Sequence, residues 1–198
     1  MPLVSAQLLK ITSYTNPAHI IEEIKSKPYT IYFALGKFYF KIGNTDNSIG
    51  MFEKAIQLNP TFAPAYHNLG VAYYKKQDYG NALSEFKKAI ELDNAYAKAY
   101  YSLAVLYFEL QDFDNAIHTF LRLVELQPNN ANISFDLAQS YVSRFRKNEE
   151  NNSQDYNDLE KALFYLKNAE ELQPGFPHAL DNINIIKSIL EQREILLT

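Results

Sequence analysis

The sequence predicts an all-α chain built as a solenoid of helix–turn–helix repeats. Three observations carry that expectation. Tyr66, Leu69, Gly70, Tyr73, Ala82, Phe86, Ala89 and Leu92 return 34 residues later as Tyr100, Leu103, Ala104, Tyr107, Ala116, Phe120, Leu123 and Leu126. Within each copy the apolar residues fall at helical spacing, with a small residue beside the leucine. The second helices close at Asn59-Pro60 and Gln127-Pro128, because the residue before a proline is disfavoured in helical conformation.

Taken in order, residues 1–28 form a helical preface. Leu3, Val4, Leu8 and Ile11 share one helical face. Asn16-Pro17 reads as an N-cap followed by proline at the first helical position, opening a second helix through Ile20, Ile21 and Ile24. Together they are expected to cap the first repeat. From Tyr29 the period is firm, with Tyr32, Leu35, Gly36, Tyr39, Ser48, Phe52, Ala55, Leu58 and Pro60 in the places occupied one unit on. Residues 29–62, 63–96 and 97–130 are therefore read as repeats one to three. The first helix of each carries apolar residues at i, i+3 and i+7, and glycine or alanine next to the leucine lets the second helix approach closely. Lys76 to Tyr79 and Leu110 to Phe113 are the turns between helices.

The fourth repeat, 131–176, is interrupted. Leu137, Ala138 and Tyr141 arrive on schedule, but Ala162, Leu166, Ala169, Leu172 and Pro174 come twelve residues late. The extra chain lies within 143–160. It reads either as a surface loop or helix extension, since long insertions cost little, or as a docking element. Residues 177–198 form a last helix, with Leu180, Ile183, Ile186 and Leu190 sealing the fourth repeat as an array's end requires. Ile185, Ile189 and Leu196 make a second stripe about 100° around that helix, which either packs more deeply or serves self-association.

These residues resemble the tetratricopeptide repeat (TPR) family: Leu-Gly/Ala…Tyr in the first helix, Ala…Phe…Ala in the second, and a closing proline. The resemblance covers about 29–176, with Ser48, Asn94 and Leu123 as minor departures from alanine, proline and alanine. It implies a right-handed superhelix whose first helices line a concave groove.

Composition excludes several other functions. A chain of 198 residues, 47% hydrophobic and 21% charged, has 19 basic against 23 acidic residues and a net charge of −4. That gives no general attraction for nucleic acid. Without cysteine there is no disulfide, thiolate metal site or cysteine nucleophile. No run approaches the roughly 20 apolar residues that span a bilayer. Met1 to Ile11 has only Lys10 as a base and does not read as a secretory signal. The chain is expected to be soluble and cytoplasmic, without direct membrane insertion. His19, His67, His118 and His178 have no metal-ligand spacing, no phosphate-loop or nucleophile-turn motif is present, and neither catalysis nor a cofactor is expected.

What the scaffold does not explain lies one and eight places after the Tyr32/Tyr66/Tyr100 position. Phe33, His67, Tyr101 and Phe135 form one set, and Phe40, Tyr74, Phe108 and Val142 the other. Seven of these eight are aromatic, counting histidine, on faces where polar residues are the norm. Either the rings pack between neighbouring repeats or they offer ring faces to the side chains of a bound peptide. Lys37, Lys41, Asn68, Lys75 and Lys98 lie among them, followed by Glu109 and Asp136, so the groove should turn from positive to negative along its length.

Some members of the family hold the carboxyl-terminal tails of chaperones with a clamp of lysine, asparagine and arginine. Asn68 and Lys98 match two of its places. Phe33 replaces its first lysine, Lys37 an asparagine and Ser102 its arginine, so the full clamp is absent. The expectation is a non-enzymatic scaffold that binds a peptide of a protein partner through Phe33, Lys37, Phe40, His67, Asn68, Tyr74, Lys75, Lys98, Tyr101, Phe108 and Phe135. The alternative is a homo-oligomer or assembly factor that associates weakly through the C-terminal helix and the repeat-four insertion.

Overall fold

A computed structural model describes residues 26–150 and 156–197. The expected helices at 3–11 and 17–24, and Asn151 and Asn152 of the insertion, lie outside these residues. Within them the secondary structure is helical: α1 (Tyr29–Lys41), α2 (Thr45–Leu58), α3 (Ala63–Lys75), α4 (Tyr79–Leu92), α5 (Ala97–Glu109), α6 (Phe113–Leu126), α7 (Ala131–Glu150), α8 (Asn157–Leu172) and α9 (Ala179–Leu197). They group into two compact units, Met1–Leu92 and Asp93–Thr198, so α1 to α4 belong to the first and α5 to α9 to the second.

Each hairpin of the first unit is made by one device that ends a helix and starts the next. At the end of α1, Gly43 takes a left-handed conformation (φ 82°), its N–H donating to Phe40 O at 3.1 Å while Asn44 N–H reaches Tyr39 O at 2.9 Å. This pair of bonds satisfies carbonyls that the helix end would otherwise leave open. Asn44 then caps α2, its side chain accepting from Asn47 N–H at 3.2 Å. In the next hairpin Gln77 (φ 62°) donates to Tyr74 O at 2.8 Å, Asp78 N–H donates to Tyr73 O at 3.0 Å, and the Asp78 carboxylate caps α4 by accepting from Asn81 N–H at 3.2 Å. Gln111 and Asp112 repeat the arrangement between α5 and α6.

Inside the first unit, Phe52 and Phe86 of the second helices are almost fully buried against the first helices. A β-carbon on Gly36 would lie 2.5 Å from the Phe52 ring, and one on Gly70 2.7 Å from the Phe86 ring. Only glycine lets the ring lie flat on the helix backbone there. Ala55, Ala82 and Ala89 close the remaining space, and Phe52 also packs with Leu69 and Ala72 of the following hairpin. Burial of such a ring contributes on the order of 2 kcal/mol by area alone.

The second unit builds its core from Phe120, Leu123, Ile133, Leu137, Tyr141, Leu159, Leu166 and Ile183. α7 does not stop where α1, α3 and α5 do but runs on to Glu150. Its added turns bury Phe145 and set Arg144 over Asp158, a carboxylate that is 1% exposed. Arg144 Nε donates to Oδ2 at 2.8 Å and Nη2 to Oδ1 at 2.5 Å, while Nη1 reaches Asp114 at 2.6 Å. Lys147 Nζ donates to Gln111 O at 2.9 Å. The described part of the insertion is thus a helix extension tied to the preceding hairpin.

α9 covers the last hairpin with Ala179, Ile183 and Ile186. Leu180, expected in that seal, is 53% exposed, because the buried stripe starts one residue earlier at Ala179. Ile185 is 55% exposed and has not packed more deeply, whereas Ile189 lies partly buried against the core.

Candidate interaction face of the first helices

In the first unit α1 and α3 place Phe33, Lys37, Phe40, His67, Asn68, Tyr74 and Lys75. Neither helix contains an acidic residue. The rings are half-buried, each leaning on the scaffold. Phe33 sits 5.8 Å from Phe52 and meets the edge of Phe62 at 5.0 Å. His67 lies 5.8 Å from Phe86, and Tyr74 5.9 Å from Tyr79. The cations lie against ring faces: Lys37 Nζ is 5.1 Å from the centre of Phe33, and Lys75 Nζ 4.9 Å from that of Phe40. Such contacts are worth about 0.5–1 kcal/mol at exposed sites, so they orient an ammonium without neutralising it. Asn68 spends its amide N–H on Pro64 O of its own helix at 2.7 Å.

In the second unit α5 and α7 place Lys98, Tyr101, Phe108 and Phe135. Tyr101 is 41% exposed, its ring edge-on to Phe120 at 6.2 Å, and its hydroxyl donates to Asp136 Oδ2 at 3.0 Å. Burial, and then the Asp136 charge, push the Tyr101 hydroxyl up to about 12. Burial also raises the Asp136 carboxyl, against the opposing pull of the Tyr101 hydrogen bond. Phe108 stands edge-on to Phe113 at 5.5 Å, and Phe135 lies 5.0 Å from Phe176. Lys98 is exposed and Val142 half-buried. Val142 also lines a pocket of about 180 Å³ among α7, α8 and α9, with Gln139, Arg146, Leu159, Ile185 and Ile189.

The scaffold partners of these rings went unnamed in the sequence reading, although a signal existed. Phe33, His67 and Tyr101 each stand nineteen residues before the ring they lean on, and Tyr74 and Phe108 five residues before theirs. The pairing of Lys75 with Phe40 had no such signal, because it joins neighbouring repeats. Among the described residues no group of His, Cys, Asp or Glu side chains converges as a metal site, and no helix is long and apolar enough to cross a membrane.

Stacked helical hairpins with exposed first-helix faces define a repeat scaffold for protein interaction. A family profile described as TPR repeat matches residues 36–77, and one described as tetratricopeptide repeat matches 68–131 and 101–151. Together they run from 36 to 151, more than half of the chain, and the protein belongs to the tetratricopeptide repeat family. Members of that family are generally interaction scaffolds rather than enzymes. No curated protein matches the chain in sequence.

Solved structures do match it. The crystal structure of MamA protein is 23% identical, covers 87% of each chain and has a TM-score of 0.71. YrrB, described as a TPR protein with an unusual peptide-binding site, is 21% identical over 88% of this chain and 84% of that one, with a TM-score of 0.69. At those identities both speak to the fold alone. The first TPR of Spaghetti (RPAP3), solved with the HSP90 peptide SRMEEVD, is 27% identical over 60% of this chain and 95% of that one, with a TM-score of 0.56.

Proposed function

We propose that the face of α1 and α3 receives an extended or helical peptide segment of a protein partner. The observation that carries this reading is the combination of Lys37, Lys41 and Lys75 with Phe33, Phe40, His67 and Tyr74 on two helices that bear no carboxylate. Acidic side chains of the segment lie by the lysines, and apolar ones lie on the half-buried rings. Those rings are already held by Phe52, Phe62, Phe86 and Tyr79, so binding orders few side chains. The face of α5 and α7, with Lys98, Tyr101, Phe108 and Phe135 beside Glu109 and Asp136, suits a segment of lower acidity.

The Spaghetti TPR gives the reading its outside support, because the peptide it holds is rich in carboxylates. The clamp that would hold a chaperone tail is incomplete in this chain. Phe33, Lys37 and Ser102 replace three clamp positions, and Asn68 is occupied with Pro64 O. Affinity is expected near micromolar, about −8 kcal/mol. Selection from a random peptide library on the full chain tests the class of ligand. Enrichment of segments that mix Asp or Glu with apolar residues supports the reading, and enrichment of basic segments overturns it.

A second reading rests on Leu180 and Ile185, which leave apolar surface open on α9. Association of copies through that helix predicts a mass above the monomer in light scattering that Ile185→Glu lowers. A monomer at all concentrations removes this reading.

A further inference from the structure

α1 has a face that its own hairpin does not use. Ile31, Leu35, Phe38 and Ile42 fall on one side of the helix and are between 39% and 57% exposed. In α3 the places 34 residues on from the first three are Ala65, Leu69 and Ala72, none more than 4% exposed, where α3 seats on the hairpin before it. In α7 the corresponding Ile133, Leu137 and Ser140 are at most 2% exposed, against α6. The side of a first helix that docks on the preceding hairpin is therefore open in α1. It also carries larger apolar side chains than α3 does: isoleucine, leucine and phenylalanine in place of alanine, leucine and alanine.

We propose that residues 1–25 of the same chain cover this face. They join α1 through Ser26, Lys27 and Pro28, a link that spans roughly 10 Å at most, so the segment starts beside the face it would cover. Twenty-five residues allow two short helices. Their sequence supplies the complementary surface, with Ile20, Ile21 and Ile24 in the stretch next to α1 and Leu3, Val4, Leu8 and Ile11 before it. The isoleucines lie on Leu35 and Phe38, as the second helix of a preceding repeat would. Covering a stripe of this kind also removes an apolar surface that would otherwise draw copies together.

A spin label tests the assignment, since the chain contains no cysteine of its own. In the full-length Ser13→Cys protein carrying a nitroxide, the amide signals of residues 31–42 should lose most of their intensity and recover it when the label is reduced. Isotope-labelled chain mixed with spin-labelled, isotope-free chain should show no loss. Adding Ile21→Asp to the labelled protein should restore the α1 signals while those of α3 stay in place, which shows that the repeats remain folded. Equal loss in the mixed sample and in the first would assign the face to a second copy. Absence of loss in both samples would mean that residues 1–25 do not cover it. Either result overturns the proposal.

Discussion

Arg144 closes a fork over Asp158, two hydrogen bonds at 2.8 and 2.5 Å onto a carboxylate that solvent barely reaches. The pair pins the added turns of α7 to the start of α8, and Asp114 extends it to α6. Removing the cation leaves Asp158 buried without its counter-charge, which costs more than the pair is worth. Arg144→Ala should therefore lower unfolding free energy by about 3 kcal/mol in urea titration. Arg144→Met with Asp158→Leu should recover most of that loss. Hydrogen exchange of residues 143–150 should speed up in the single variant.

Gly70 is set by contact with a ring, so its replacement tests the packing. A methyl group there would lie 2.7 Å from Phe86, a side chain buried too well to move aside. Gly70→Ala should destabilise by about 1–3 kcal/mol despite the gain in helix propensity. Adding Phe86→Leu should relieve part of the clash, giving a double variant less destabilised than the sum of the two single changes.

Ser48 and Gln77 are places where the chain departs from the best local choice. Ser48 Oγ is buried without a hydrogen-bond partner, at the position that Ala82 fills one repeat later. Ser48→Ala should raise stability by about 1 kcal/mol. Gln77 holds a left-handed conformation that Gly43 adopts freely 34 residues earlier. Gln77→Gly should raise stability by up to about 1 kcal/mol in the same titration.

Glu85 gives the first unit an acid response. Burial, then the charge of Glu53, raise its carboxyl above the usual range. Between its ordinary value and the raised one, the folded chain keeps a proton that the unfolded chain has lost. Stability from this group is therefore full at low pH, falls as pH rises through that window and stays lower above it. Glu85→Gln should melt higher than wild type at pH 7, and the difference should vanish as pH falls below the ordinary carboxylate range. A difference independent of pH would refute this cause.

The all-α repeat fold was legible because Phe52, Phe86 and Phe120 recur at 34 residues opposite Gly36, Gly70 and Ala104, and packing geometry demands that pairing. The turn device was legible in principle, since Asn44, Asp78 and Asp112 share the period and each is followed three residues later by asparagine. The turns at 76–79 and 110–113 were readable, but the left-handed residue that makes them was not, because Gly43 differs in type from Gln77 and Gln111 and a glutamine gives no sign of a positive φ. Leu180 was misplaced because the helix starts at Ala179 with a left-handed His178 before it, which shifts the buried stripe by one residue. The fork of Arg144 on Asp158 had no sequence signal, since the intervening insertion obeys no period. Of the candidate face, residue identities were readable. That these rings would be half-claimed by their own hairpins went unread, because a spacing of nineteen or five residues marks a contact only once the pairing of the two helices is fixed.

If the open part of these rings serves a ligand, Tyr74→Ala should weaken binding without unfolding the chain. Its ring leans on Tyr79 at the hairpin turn. The measurement is fluorescence anisotropy of a library-selected acidic peptide on wild type and variant, with the melting temperature of each recorded alongside. Affinity should fall at least about tenfold, or 1.4 kcal/mol, with little change in melting temperature. A sharp drop in melting temperature with affinity unchanged would make Tyr74 part of the core and remove it from the peptide face.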